Sequence, residues 1–130
     1  MTHTTNSGSV FESGADALRK IYIEVFGSSS SGHSTLGRLN QTVNLTAYNY
    51  IKVNISSGRI IGDYIGISTN ASLANTSFVT SVYFESIGTQ IINISSIVGS
   101  YYIYFYHKAS SSTANTNSSM GIAGIYLDNN

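Results

Sequence analysis

The sequence predicts an all-β fold, an antiparallel β-sandwich of about seven to nine strands with at most one short helix. Three observations carry this expectation. Apolar residues recur with a period of two rather than 3.6. β-Branched and aromatic residues fill those runs, as a half-buried pleated surface prefers. Gly, Ser and Asn interrupt them about every ten residues, the spacing of a sandwich or barrel.

Taken in chain order, residues 1–10 read as an N-terminal arm on a single domain spanning 1–130. Glu12 to Lys20 is the one helix-like stretch, and Gly14 weakens it. Ile21, Ile23 and Val25 then alternate with Tyr22, Glu24 and Phe26. The uncharged stretch from Ser28 leads into a long loop reaching Arg38. Ile51, Val53 and Ile55 alternate with Tyr50, Lys52 and Asn54, and Ser56-Ser57-Gly58 reads as a hairpin-like turn. Ile61, Ile65 and Ile67 share a parity opposite Ile60, Tyr64 and Gly66, with a bulge expected at Asp63. Asn70 to Ser77 is a polar connection before Val82 and Phe84, which alternate with Ser81, Tyr83 and Glu85. Tight turns are expected at Ile87-Gly88-Thr89 and Val98-Gly99-Ser100. Between them, Ile94-Ser95-Ser96-Ile97 matches Leu45-Thr46-Ala47-Tyr48 in sitting just before a strand. Tyr101, Ile103 and Phe105 alternate with Tyr102, Tyr104 and Tyr106. A Ser/Thr/Asn loop from Ala109 to Ser119 precedes a closing strand in which Ile122 and Tyr126 oppose Ala123, Ile125 and Leu127.

Composition narrows the function. Charged residues are only 9% of the chain and the net charge is zero, so no basic stripe exists to hold phosphates and nucleic acid is not an expected partner. No apolar run reaches the length of a membrane helix, so membrane insertion is not expected. Cysteine is absent, which removes disulfides and thiolate metal sites. Met1 to Ser7 lacks the basic start and apolar run of a secretory signal. Seven Asn-x-Ser/Thr sequons, at Asn40, Asn44, Asn54, Asn70, Asn75, Asn93 and Asn117, are what a chain rich in these residues produces by chance. Proline is also absent, although edge strands often use it to block edge pairing; bulges, loops or neighbouring subunits must protect them instead. The last option points towards a homo-oligomer.

Three stretches resemble galactose-binding-like jelly rolls, of the carbohydrate-binding-module kind. Thr42 to Ile55 is similar to their pattern of an apolar residue, Leu, Ser/Thr, Tyr and alternating Ile and Val. Ile91 to Phe105 is similar to their later segment of Ile, Ser, Gly and Tyr, and Ile122 to Leu127 to their closing strand. The resemblance covers about residues 40–128. It implies a jelly-roll topology and a role in phage tail, baseplate or receptor-binding proteins of Gram-positive bacteria. Such modules often hold a structural calcium between a first-strand Glu and a closing-strand Asp. Glu12 stands where the first would be; Gly124 occupies the place of the second, with Asp128 further on. No cofactor is therefore expected, and the family's sugar-stacking Trp is missing.

An enzyme is not expected. The carboxylates Glu12, Asp16, Glu24, Asp63, Glu85 and Asp128 show no pairing of the kind glycoside hydrolysis needs. His3, His33 and His107 lack metal-ligand spacing. No Gly-x-Ser-x-Gly elbow occurs.

The ten tyrosines are more informative. Tyr102, Tyr104 and Tyr106 lie on one face of a strand whose other face, Tyr101, Ile103 and Phe105, is the better core. An outward aromatic stripe can stack on a sugar or anchor a protein contact; it can equally pack beneath the chain's own loops. Tyr50, Tyr64 and Tyr83 would join it if their strands were neighbours, with Lys52, Asn54, Arg59 and Asp63 as polar arms. The expected ligand-binding set is Tyr102, Tyr104, Tyr106, Tyr50, Tyr64, Lys52 and Asp63. The expected function is a virion-associated module, extracellular after assembly, that binds a cell-surface glycan. The alternative is a structural virion subunit, a capsid decoration or tail protein, whose tyrosine face contacts other virion proteins.

Overall fold

Every regular element in the computed structural model is a strand, among the residues it describes: 2–5, 9–10, 21–26, 34–39, 41–58, 62–72, 77–108 and 117–130, with side chains described over 36–39, 41–56, 62–72, 77–107 and 121–130. The strands are β1 (Thr2–Thr5), β2 (Ser9–Val10), β3 (Ile21–Phe26), β4 (Ser34–Arg38), β5 (Val43–Asn44), β6 (Tyr50–Gly58), β7 (Tyr64–Ser68), β8 (Thr80–Tyr83), β9 (Gly88–Asn93), β10 (Ser100–Lys108) and β11 (Asn117–Asp128). They form two antiparallel sheets. The first has the order β1-β4-β10-β7-β8, with β5 also on β10; the second has the order β2-β3-β11-β6-β9. The helix-like stretch 12–20 lies outside the described residues.

One core takes side chains from both sheets. Ile51, Val53, Ile55, Ile92 and Ile122 come from the second sheet, and Ile65, Ile67, Ile103 and Phe105 from the first. The period-two pattern puts them there, because alternate residues of a strand point to the same face. Each fully buried Ile of this set is worth about 1.5–3 kcal/mol in transfer from water.

The Leu45–Tyr48 and Ile94–Ile97 stretches are turns built the same way. The Asn44 side chain accepts the Thr46 N–H at 3.0 Å and the Asn93 side chain accepts the Ser95 N–H at 2.9 Å. The Tyr48 N–H then donates to the Leu45 carbonyl, and the Ile97 N–H to that of Ile94. Each turn drives one fully buried aliphatic residue, Leu45 or Ile94, into the core. The two are joined through Gly99, whose N–H donates to Thr46 Oγ1 at 2.9 Å and whose carbonyl accepts the Leu45 N–H at 2.9 Å. Gly99 does this with φ 110°, and Gly88 opens β9 with φ 117°; both values lie where a side chain would be strained.

Four expectations are corrected. Within 1–10, residues 2–5 and 9–10 are strands and not only an arm: β1 pairs with β4 and β2 with β3, so each sheet gains a strand. Ser56-Ser57-Gly58 is not a turn. β6 runs through it, with Ser57 opposite Gly121 and Gly58 opposite Met120, and the register slips at Ser56 instead. Ser34–Arg38, expected within a loop, is β4, between β1 and β10. In β11 the register also slips between Ile122 and Gly124, and this bulge reverses the parity. Ile122 faces the core before it, Ile125 and Leu127 pack on the core after it, and Tyr126 turns outward.

Candidate functional site

The outer face of the first sheet carries the aromatic residues that the sequence brings forward. Directly opposed residues of an antiparallel pair share a face. Tyr106 of β10 lies opposite Tyr64 of β7, which lies opposite Tyr83 of β8, so three tyrosines stand abreast. The Tyr64 and Tyr106 rings stack at 4.7 Å between centroids, and Tyr83 meets Tyr64 edge-on at 5.7 Å. Burial pushes the Tyr64 hydroxyl above its ordinary pKa, and the neighbouring phenols of Tyr106 and Tyr83 add to the rise.

In the next row Tyr104 lies opposite Gly66. Tyr104 is not exposed as expected; it has no solvent-accessible surface. The connection from β7 to β8 folds back over this face. Its Phe78 sits edge-on to Tyr104 at 5.2 Å and to Tyr64 at 5.8 Å. Its backbone carbonyls at Asn70 and Ser72 accept from the Tyr104 hydroxyl. Parity is therefore right and exposure wrong, because a strand's outer face is only as open as the loops allow.

Gly66 makes this cover fit. A Cβ there would sit 2.7 Å from Phe78 Cδ1 and 2.9 Å from its Cγ. The Phe78 ring is held between Tyr64 and Tyr104 and has little room to give. Gly66→Ala is expected to lower stability by about 1–3 kcal/mol through overpacking, measured by urea unfolding. A second change, Phe78→Leu, should recover part of the loss; a Gly66→Ala protein as stable as the parent would show that the ring is not so confined.

Tyr102, half-buried, is the third member of the expected stripe. The Arg38 guanidinium lies over its ring at 4.6 Å while Arg38 Nε donates to the Ala71 carbonyl at 2.9 Å. Arg38 thus ties the same connection to the sheet. Asp63 is not a polar arm either: its side chain has no exposed surface and shares a hydrogen bond with Nδ1 of the equally buried His107. His107 lies on the inner face of β10, two residues beyond Phe105.

Tyr50 and Lys52 belong to the other sheet and cannot share a site with the first group. On the outer face of the second sheet, Tyr126, Lys52 and Ile91 stand abreast across β11, β6 and β9. Asp128 lies opposite Tyr50, which lies opposite Asn93. Tyr126 and Ile91 are 57% and 58% exposed. Lys52 Nζ donates to Asp128 Oδ2 at 2.8 Å and to the Asn130 carbonyl at 3.2 Å. Sequence reasoning missed Tyr126 as a site residue, since the bulge that turns it outward leaves no mark in the alternation.

The hydrogen bond from Lys52 holds the Asp128 carboxyl down to about 2 from 3.8, and the Asn130 and Asn129 N–H groups add to this. A depressed folded-state value contributes stability that is present above the unfolded pKa and lost as pH falls through the folded one. The melting-temperature difference between the parent and Asp128→Asn is therefore expected to be constant above roughly pH 4 and to vanish near pH 2. The difference is small, as both side chains are partly exposed. Thermal melts across that range check it; a difference that persists below pH 2 would remove the ion pair as its cause.

Among the described residues no group of three or more His, Cys, Asp or Glu is arranged to hold a metal ion. Glu12 lies outside those residues, and Asp128 is engaged by Lys52. No helix of the described residues is long and apolar enough to cross a membrane. Comparison with protein-family models, curated proteins and solved structures finds no match to this chain.

Proposed function

We propose that the protein is a jelly-roll sandwich acting as a non-catalytic recognition module for a cell-surface carbohydrate, of the kind phage structural proteins use for adsorption. The strand order supports the topology. With β1, β2 and β5 set aside, β3 pairs with β11, β4 with β10, β6 with β9 and β7 with β8. That is a long hairpin wound up on itself, first strand with last, as in an eight-stranded jelly roll.

The observation that carries the function is Tyr126, held on the second sheet with 57% of its surface open. A rigid aromatic ring on a sheet presents area to a sugar at little entropic cost. Affinity per site is weak in such modules and depends on multivalency.

A second reading, a structural virion subunit, draws on a separate feature. Val79, Val82, Tyr83 and Ile87 are exposed along and beside β8, the last strand of its sheet. An exposed apolar edge of this kind, with Glu85 beside it, suits contact with another protein.

Light scattering beside a binding screen on bacterial surface polysaccharides separates the two. A monomer that binds a polysaccharide supports recognition. A stable oligomer that binds none overturns it in favour of the structural subunit.

A further inference from the structure

We infer that the sugar-binding surface is the outer face of the second sheet, centred on Tyr126, and that its ligand is an uncharged pyranoside; this rests on the recognition reading above. The tyrosine cluster of the first sheet is closed by the chain itself. Tyr104 is buried, and Tyr64 has Tyr106 on one side and Phe78 and Tyr83 at its edges. Tyr126 is differently placed.

Its ring is laid along β11 towards Gly124: a Cβ on Gly124 would meet Tyr126 Oη at 2.4 Å, Cζ at 2.7 Å and Cε2 at 2.9 Å. Glycine lets the ring lie down on the backbone instead of standing off it. The outer end of the ring then lies against the sheet at Gly124 while 57% of the residue's surface stays open. Two rigid χ angles and a supporting backbone make a platform for the apolar face of a pyranose.

The charges on this face select the ligand class. Across the rows formed by β11, β6 and β9, the charged residues are Lys52 and Asp128, and they neutralise each other at 2.8 Å. Asp128 Oδ1 accepts from the N–H groups of Asn129 and Asn130, so both its oxygens are engaged and a cation is not invited. An ammonium has three donors, and Lys52 spends two of them on Asp128 and Asn130. The third is left for a ligand hydroxyl beside the Tyr126 ring. In the row of Gly124, Asn54 and Thr89 stand abreast of it and supply neutral polar groups. Three strands abreast span about 10 Å, the length of a disaccharide. Among the described side chains of these rows the charges cancel, so charge complementarity favours a neutral sugar.

The test uses the whole protein, labelled with 15N and titrated with lactose, cellobiose and N,N′-diacetylchitobiose. Binding of one of them should shift amides in 52–54, 89–93 and 124–128. Tyr126→Ala should weaken it about tenfold or more, Tyr126→Phe should retain it, and Tyr83→Ala should leave it unchanged. Gly124→Ala, which keeps the ring but lifts it from the sheet, should also weaken binding. Melting curves of the Tyr126 and Gly124 variants should match the parent, so loss of binding is not loss of fold. If a disaccharide binds but shifts other amides, or survives Tyr126→Ala, the site is wrong and the recognition reading stands. If none binds, while an acidic polysaccharide does, the neutral-ligand inference is overturned alone. If neither disaccharides nor polysaccharides bind, both fall.

Discussion

Asp63→Leu is expected to destabilise the protein by about 3–5 kcal/mol, the cost of breaking a buried polar pair by removing one partner. The Asp63 carboxylate and the His107 imidazole share a hydrogen bond and have no exposed side-chain surface. The Asp63 carbonyl also accepts the Phe84 N–H at 2.9 Å, so the residue sits where β7 begins and where the chain leaves β8. Without the carboxylate, the buried imidazole loses a hydrogen bond that helps to offset its desolvation. Adding His107→Leu should recover a large part of the loss, because an apolar pair of similar volume needs no partner. Urea unfolding of the two single variants and the double variant gives the coupling. Additive costs would show that the two residues do not act as a unit. A single change costing under about 1 kcal/mol would show that this hydrogen bond contributes little to stability.

The second large effect is at Tyr104. Tyr104→Ala is expected to cost about 3–5 kcal/mol, as for other large aromatic side chains removed from a core. It empties the space beside Phe78, the ring that covers Gly66. Tyr104→Phe keeps the ring and removes only the hydroxyl that donates to the Asn70 and Ser72 carbonyls, so about 0.5–1.5 kcal/mol is expected. The exposed tyrosines give the contrast: Tyr83→Ala and Tyr126→Ala should stay within about 0.5 kcal/mol of the parent. Denaturant midpoints at fixed slope report all four. Equal losses at Tyr104 and Tyr126 would mean that the loop does not close over the sheet.

These expectations differ from what the strand pattern alone implies. By alternation, Tyr102, Tyr104 and Tyr106 are equivalent, three outward residues of β10. They end up in three environments: one under an arginine, one buried beneath a returning loop, one stacked on Tyr64. Asp63 and His107, 44 residues apart in sequence, carry no spacing signal that pairs them. Tyr50 and Tyr64 look alike locally but stand on different sheets.

The sequence by itself determined the class of fold and the inward residues of β6, β7 and β10. Both are local. Alternation fixes which side chains share a face without help from the rest of the chain. Tertiary structure alone decided which outward residues reach solvent, because that depends on where a loop returns and which strand lies opposite. It also decided the facing of Tyr126, through a bulge that costs the chain one residue of register and that alternation cannot reveal.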